Sequence, residues 1–149
     1  MSCYLTFYGV PVKPKNNDGE VVENESDIDK KPIAIVSFSR NDDVFRYFDE
    51  NCSIHYTYNN VKYTDINDSD VDAVEKDINN DIRSSEKRLL EYEKYASSNS
   101  DYIQEIISIK EYLDDLYRAL HYVEFIGKIV REAGYSYSGG FDKIVANMG

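Results

Sequence analysis

Seven carboxylates crowd between positions 65 and 81: Asp65, Asp68, Asp70, Asp72, Glu75, Asp77 and Asp81. The spacing Asp68-x-Asp70-x-Asp72 copies the opening of a helix–loop–helix calcium site, where alternate side chains supply oxygens to one hard cation. That chemistry also needs a glycine at the sixth position for the sharp turn and a glutamate at the twelfth as bidentate ligand. The chain has Ala73 and Asn79 there, so no metal site is expected. The carboxylates read instead as the solvated start of a helix, where negative charge complements the exposed backbone N–H groups. Asp65, Asp68, Asp70, Asp72 and Glu75 remain a candidate acidic contact surface.

Nucleophilic chemistry has equally few materials. The two cysteines, Cys3 and Cys52, are too few for a disulfide scaffold. Neither they nor His55 and His121 fall at a spacing that makes a nucleophile–base pair or a zinc ligand set. Gly139-Gly140 lacks the glycine spacing and following helix of a phosphate loop, and Gly9 stands alone. No cofactor and no catalytic residue is expected, and the chain reads as a non-enzyme.

Tyrosine is the side chain in excess, with fourteen in 149 residues and no tryptophan. Amphipathic aromatics are enriched at protein interfaces. Tyr92, Tyr95, Tyr102, Tyr112 and Tyr117 lie in or beside predicted helices, several of them off the apolar stripe, and form the candidate interface. The formal charge of −11 repels nucleic-acid phosphates and anionic lipid, so the expected partner is another protein, with no direct nucleic acid and no membrane. Self-association is left open. Met1-Ser2-Cys3-Tyr4 lacks the basic segment and apolar run of a signal peptide, and no stretch reaches the roughly 18 apolar residues of a membrane span. A cytoplasmic location is expected.

The elements that position these residues are α+β in character, and the length fits a single domain over residues 1–149. Residues 1–64 read as a β-rich part. Cys3 to Val12 alternates two side-chain sets and predicts a strand ending near Pro14; residues 15–31 form an acidic, turn-rich loop; Ile33 to Phe38 predicts a buried strand. Ser39 then caps a short helix to about Asn51 carrying Val44, Phe45 and Phe48. Ile54–Tyr58 and Val61–Thr64 flank Asn59-Asn60, residues that tolerate a two-residue turn, so a β-hairpin is expected.

Beyond Ser69, taken as a cap, the apolar period changes from two to three and a half. Val71, Ile78, Ile82, Ser85, Leu89, Tyr92 and Ala96 mark one helix, and Ile106, Ile109, Leu113, Leu116, Leu120, Val123, Gly127 and Val130 a second, closed by Gly134. A stripe this regular implies a supercoiling partner, because a straight helix drifts about 20° per heptad against it. The short break at Ser97–Ser100 makes the pair, residues 69–133, an antiparallel hairpin. Counting back from the break puts Leu89 level with Ile109, Ile82 with Leu116, Ile78 with Leu120 and Val71 with Gly127. Tyr122, Phe125, Ile126 and Ile129 add a second apolar face, predicting that this end is buried twice, against a small N-terminal antiparallel sheet at the base of the hairpin. The Ala96 turn then projects as a tip. The tail, residues 135–149, predicts a helical turn or an edge strand.

The opening Met1-Ser2-Cys3-Tyr4-Leu5-Thr6-Phe7-Tyr8, the segment Ser37-Phe38-Ser39-Arg40 ahead of Asp43-Val44-Phe45-Arg46-Tyr47-Phe48, and the helical hairpin resemble small proteins of tailed bacteriophages. The resemblance transfers no site residue. It implies a viral setting, as a virion component or an inhibitor of a host factor. Two functions fit the residues. The first is a non-enzymatic interaction or structural protein working through the hairpin and its tyrosines. The second is an acidic inhibitor that occupies a basic nucleic-acid-binding surface of a host or defence protein by charge mimicry.

Overall fold

A computed structural model describes residues 3–12, 32–56, 62–97, 99–134 and 140–149. The expected loop over 15–31 and the Asn59-Asn60 turn lie outside the described residues. Strand β1 (Tyr4–Pro11) buries Leu5 and Phe7 completely while Tyr4, Thr6 and Tyr8 turn to the other face, the period-two pattern of a half-covered sheet. It pairs on one side with β2 (Ile33–Ser39), setting Leu5 against Phe38 and Phe7 against Val36. A bulge between Phe7 and Tyr8 skips Ile35. β2 is a strand as expected but not a buried one. It forms the outer edge of the sheet, so Phe38 alone is buried, while Ile35 and Val36 pack against the core half-buried.

Ser39 is the last residue of β2, paired with Tyr4, and so cannot cap the next helix. The chain turns through Arg40 and Asn41, and Asp42 becomes the cap of α1 (Asp43–Asn51), its Oδ1 accepting the Val44 N–H at 3.0 Å. Strand β3 is only Thr64–Ile66, and it pairs with the C-terminal strand β4 (Phe141–Met148); among the described residues none of Ile54, His55 and Tyr56 pairs with β3 as a strand. Tyr56 makes a single parallel bridge to Met148, and the His55 N–H donates to Thr64 Oγ1 at 2.9 Å.

The tail departs furthest from expectation. β4 is neither a helical turn nor an edge strand; it lies inside a four-stranded antiparallel sheet of order β2-β1-β4-β3. Ile144 to Met148 are buried on both faces, which is why their apolar run does not alternate. The sheet is therefore built from both ends of the chain. Close packing of β4 on β1 depends on Gly9, where an added Cβ would fall 2.2 Å from the Phe141 ring.

Two long helices follow the expected hairpin. α2 (Asp68–Ala96) starts at Asn67, not Ser69: the Asn67 side chain accepts the Asp70 N–H at 3.0 Å, and Asp70 accepts the Asn67 N–H at 3.0 Å, a reciprocal capping box. A 3-10 turn, Ser100–Tyr102, leads into α3 (Ile103–Glu132). Ala133 caps the helix, and Gly134 follows with φ of +86°, a conformation glycine adopts without strain, its N–H donating to Phe141 O of β4 at 3.0 Å. At the base of the hairpin Gly127 lies against Val71, as the register requires.

One continuous core joins the layers. Phe7 meets Phe48 of α1 edge-on at 4.9 Å between ring centroids and Phe38 at 6.2 Å, and the same cluster runs through Val71, Val74, Val123 and Ile126 at the hairpin base. Toward the Ala96 turn, burial ends at Ser85 on α2 and Ile109 on α3, so the distal half is two helices thick. Double burial of the α3 base is incomplete. Ile126 is buried, but Tyr122 covers Phe38 with only a ring edge and Phe125 is 46% exposed. The buried side of α3 carries Ala119, Val123 and Ile126, and at its margin Arg118 meets Asp42 beside α1 and Tyr122 meets Phe38 of β2.

Candidate functional site

The acidic run is held along the first half of α2, and each of its carboxylates has a partner within the chain. Asp65 pairs with Lys143 of β4 at 3.1 Å. Arg131, near the end of α3, crosses the hairpin seam to Asp68 at 2.7 Å, Asp72 at 3.0 Å and Glu75 at 3.8 Å. Asp70 closes the capping box, Asp77 accepts from Asn51 Nδ2 at 2.9 Å, and Asp81 accepts a short hydrogen bond from the Tyr47 hydroxyl. These contacts clip α1 and the end of α3 to α2. Burial raises Glu75 above the usual carboxylate range, and the Arg131 guanidinium opposes that shift. Among the described residues no group of three or more His, Cys, Asp or Glu is placed to hold a metal ion.

Cys3 and Cys52 are both free and half-buried. Burial, reinforced by the Asp70 charge, pushes the Cys52 thiol up to about 11, so it stays protonated at neutral pH and is a poor nucleophile. His55 and His121 are exposed, one beside β3 and one on α3. No described helix is long and apolar enough to cross a membrane.

The five candidate tyrosines divide into one cluster and two separate residues. Tyr92 and Tyr95, one turn apart on the last turns of α2, both meet Tyr102 of the 3-10 turn, with ring centroids 5.5 Å and 5.6 Å apart. Together with Arg88 and Glu91 they line a shallow recess of about 300 Å³ at the hairpin tip. Arg88 also lines a second, smaller recess with Gln104, Glu105 and Ser108 on α3. Tyr117 lies along the flank, its hydroxyl donating to Glu86 at 2.7 Å across the seam. Tyr112 lies elsewhere on α3, 39% exposed.

Sequence reasoning missed the apolar side chains that share the distal half with the tyrosines. Leu90 is 62% exposed, and Ile103 and Ile107 are also uncovered. Their signal is present in the chain. All three lie off the stripe of three-and-four steps, where a large aliphatic has no partner inside a two-helix pair. No protein family model, curated protein or solved structure matches this chain.

Proposed function

We propose that this is a non-enzymatic interaction protein, cytoplasmic, whose hairpin tip docks onto another protein through the Tyr92–Tyr95–Tyr102 recess and the neighbouring Leu90. The observation that carries this reading is the chemistry of the exposed surface at the hairpin tip: Leu90 and Tyr95 stand 62% and 57% exposed beside Tyr92 and Tyr102. Asp65, Asp68 and Asp72 of the acidic run are as exposed, but each carboxylate of that run is paired with Arg131, Lys143, Asn51, Tyr47 or a helix cap. Large aromatics with a wet hydroxyl edge are the side chains that anchor interfaces. The charge-mimicking inhibitor is the second reading, favoured by the net charge of −11. In the bacteriophage setting implied by the resemblance, either reading makes the chain a virion component or an effector against a host factor.

Affinity capture separates them. A partner held by the wild-type chain should be lost with Leu90→Ser plus Tyr95→Ala and kept with Asp65→Asn plus Asp72→Asn. The opposite pattern, or binding that collapses with salt as the Debye length shortens to about 3 Å at 1 M, makes charge mimicry the function.

A further inference from the structure

The outward face of α3 is the second surface of the molecule that its own core leaves bare. Ile107 and Phe125 are 43% and 46% exposed and stand eighteen residues apart, which at about 3.6 residues per turn is five full turns. They share one line on the side of the helix opposite Leu116 and Ile109. Ile103, 49% exposed, flanks that line near one end, and Ile129, partly buried against the core, near the other. We propose that this face is a homodimer interface, covered by the same face of a second copy running antiparallel.

The pattern is self-complementary about its midpoint, level with Leu116. An antiparallel copy centred there sets Ile107 against Phe125 of the other copy, Ile103 against Ile129, and Asp114 against Arg118. Every contact occurs twice, as a two-fold interface requires. Arg118 is held in place by its 2.6 Å contact with Asp42, whereas Asp114 has no ion pair among the described residues. A parallel copy would instead place Asp114 on Asp114 and Arg118 on Arg118.

Charge selects the occupant. Two chains of −11 repel each other over most of their surface. On this face Lys110, Arg118 and Lys128 are interspersed with Glu111, Asp114 and Glu132, and Arg118 also meets Asp42 of its own chain, so pairing here brings together far less net charge than contact elsewhere on the surface. A strongly basic partner would find nothing on this strip to attract it. From Ile103 to Ile129 the strip runs about 39 Å along the axis, long enough for a helix pair to approach the roughly 1,000 Å² a specific interface needs, so the dimer should be dynamic rather than permanent. Antiparallel pairing directs the two hairpin tips to opposite ends and leaves each tyrosine recess open.

Analytical ultracentrifugation of the full chain across micromolar concentrations should show a monomer–dimer equilibrium. Phe125→Glu should raise the dissociation constant by about 30-fold or more, since each copy loses its one aromatic anchor on this line and gains a charge there, and the two-fold counts the change twice. Phe125 is half exposed, so the melting temperature and circular dichroism of that variant should match the parent. Asp114→Arg should weaken the dimer, and Asp114→Arg with Arg118→Asp should restore it. Orientation is read by disulfide trapping with Cys3→Ser and Cys52→Ala in the background. A mixture of Ile107→Cys and Phe125→Cys chains should cross-link, and neither chain alone should. A chain that is monomeric throughout, a dimer indifferent to Phe125→Glu, or a cross-link formed by Ile107→Cys alone overturns the proposal. A monomer in which Phe125→Glu abolishes binding of a different polypeptide also overturns it and gives the face to that polypeptide.

Discussion

A Cβ built on Gly127 would lie 3.0 Å from Val71 Cγ1, so α2 and α3 touch at the hairpin base with no room for a methyl group. Val71 is fully buried and cannot yield, whereas the other near atoms, Arg131 Nη1 at 3.0 Å and Glu75 Oε1 at 3.2 Å, are ends of flexible side chains. Two effects oppose each other in Gly127→Ala. Helix propensity favours alanine by about 1 kcal/mol. Overpacking a core position costs about 1–3 kcal/mol. The expected result is a net loss of about 1 kcal/mol in urea denaturation. Val71→Ala alone should cost about 2 kcal/mol by the space it leaves, and in the double variant the two changes should compensate. Additive losses would mean the two residues do not meet.

Tyr47 and Asp81 tie α1 to α2 through a fully buried phenol. Desolvation raises the Tyr47 pKa well above its ordinary value, and the Asp81 carboxylate raises it further. The sign follows directly. In the unfolded chain Tyr47 loses its proton near pH 10, while the folded chain keeps it. The contribution is complete below pH 10 and is lost as pH climbs above it, at up to about 1.4 kcal/mol per pH unit for one group. Tyr47→Phe should be less stable than the parent at pH 7, because Asp81 loses its donor, and should show a shallower decline between pH 10 and 11. Equal slopes in chemical denaturation would remove Tyr47 from the alkaline transition.

The helical hairpin was the most legible part of the chain because its signal is local and repeated. Steps of three and four over two long segments dictate a seam, and a short break leaves one register, which Gly127 against Val71 satisfies. The caps at Asp42 and Asn67 were misplaced by three and two residues, since a polar cap can be chosen only once the end of the preceding strand is known. β4 was hidden for a different reason. Its interior position depends on pairing with β1, more than a hundred residues away in sequence, and nothing in Phe141–Met148 alone distinguishes a centre from an edge. At the surface, tyrosine content pointed to Tyr92, Tyr95 and Tyr102, but whether they meet depends on how the 3-10 turn returns Tyr102 to α2.

Calcium should leave the protein unchanged. Arg131 occupies Asp68 and Asp72, the first and last members of the ligand-like trio, and Asp70 is used in the capping box. A cation would have to displace a guanidinium and break a helix cap to gather three carboxylates. Melting temperatures with chelator and with millimolar calcium should coincide. A rise of several degrees with calcium would show that the trio reorganises around the ion.

Asp42 performs two tasks with its two carboxylate oxygens, and conservative variants can separate them. Oδ1 accepts the Val44 N–H at 3.0 Å, capping α1, while Oδ2 meets Arg118 of α3 at 2.6 Å. The cap satisfies a backbone donor that has no other partner, and losing such a cap to alanine costs about 1 kcal/mol and up to 2. The Arg118 pair reaches into solvent, with Arg118 60% exposed, and contacts of that kind contribute at most about 1 kcal/mol and are screened by salt. Asp42→Asn keeps an oxygen for the cap and discards the charge, so it should lose less than about 1 kcal/mol, and that loss should shrink in high salt. Asp42→Ala should lose more, with a remainder that salt does not remove. Since α1 also supplies Phe45 and Phe48 to the core beside Phe7, its fraying should appear as faster amide exchange along Val44–Phe48 in Asp42→Ala alone. Equal losses from both substitutions would mean that the ion pair, and not the cap, anchors this helix.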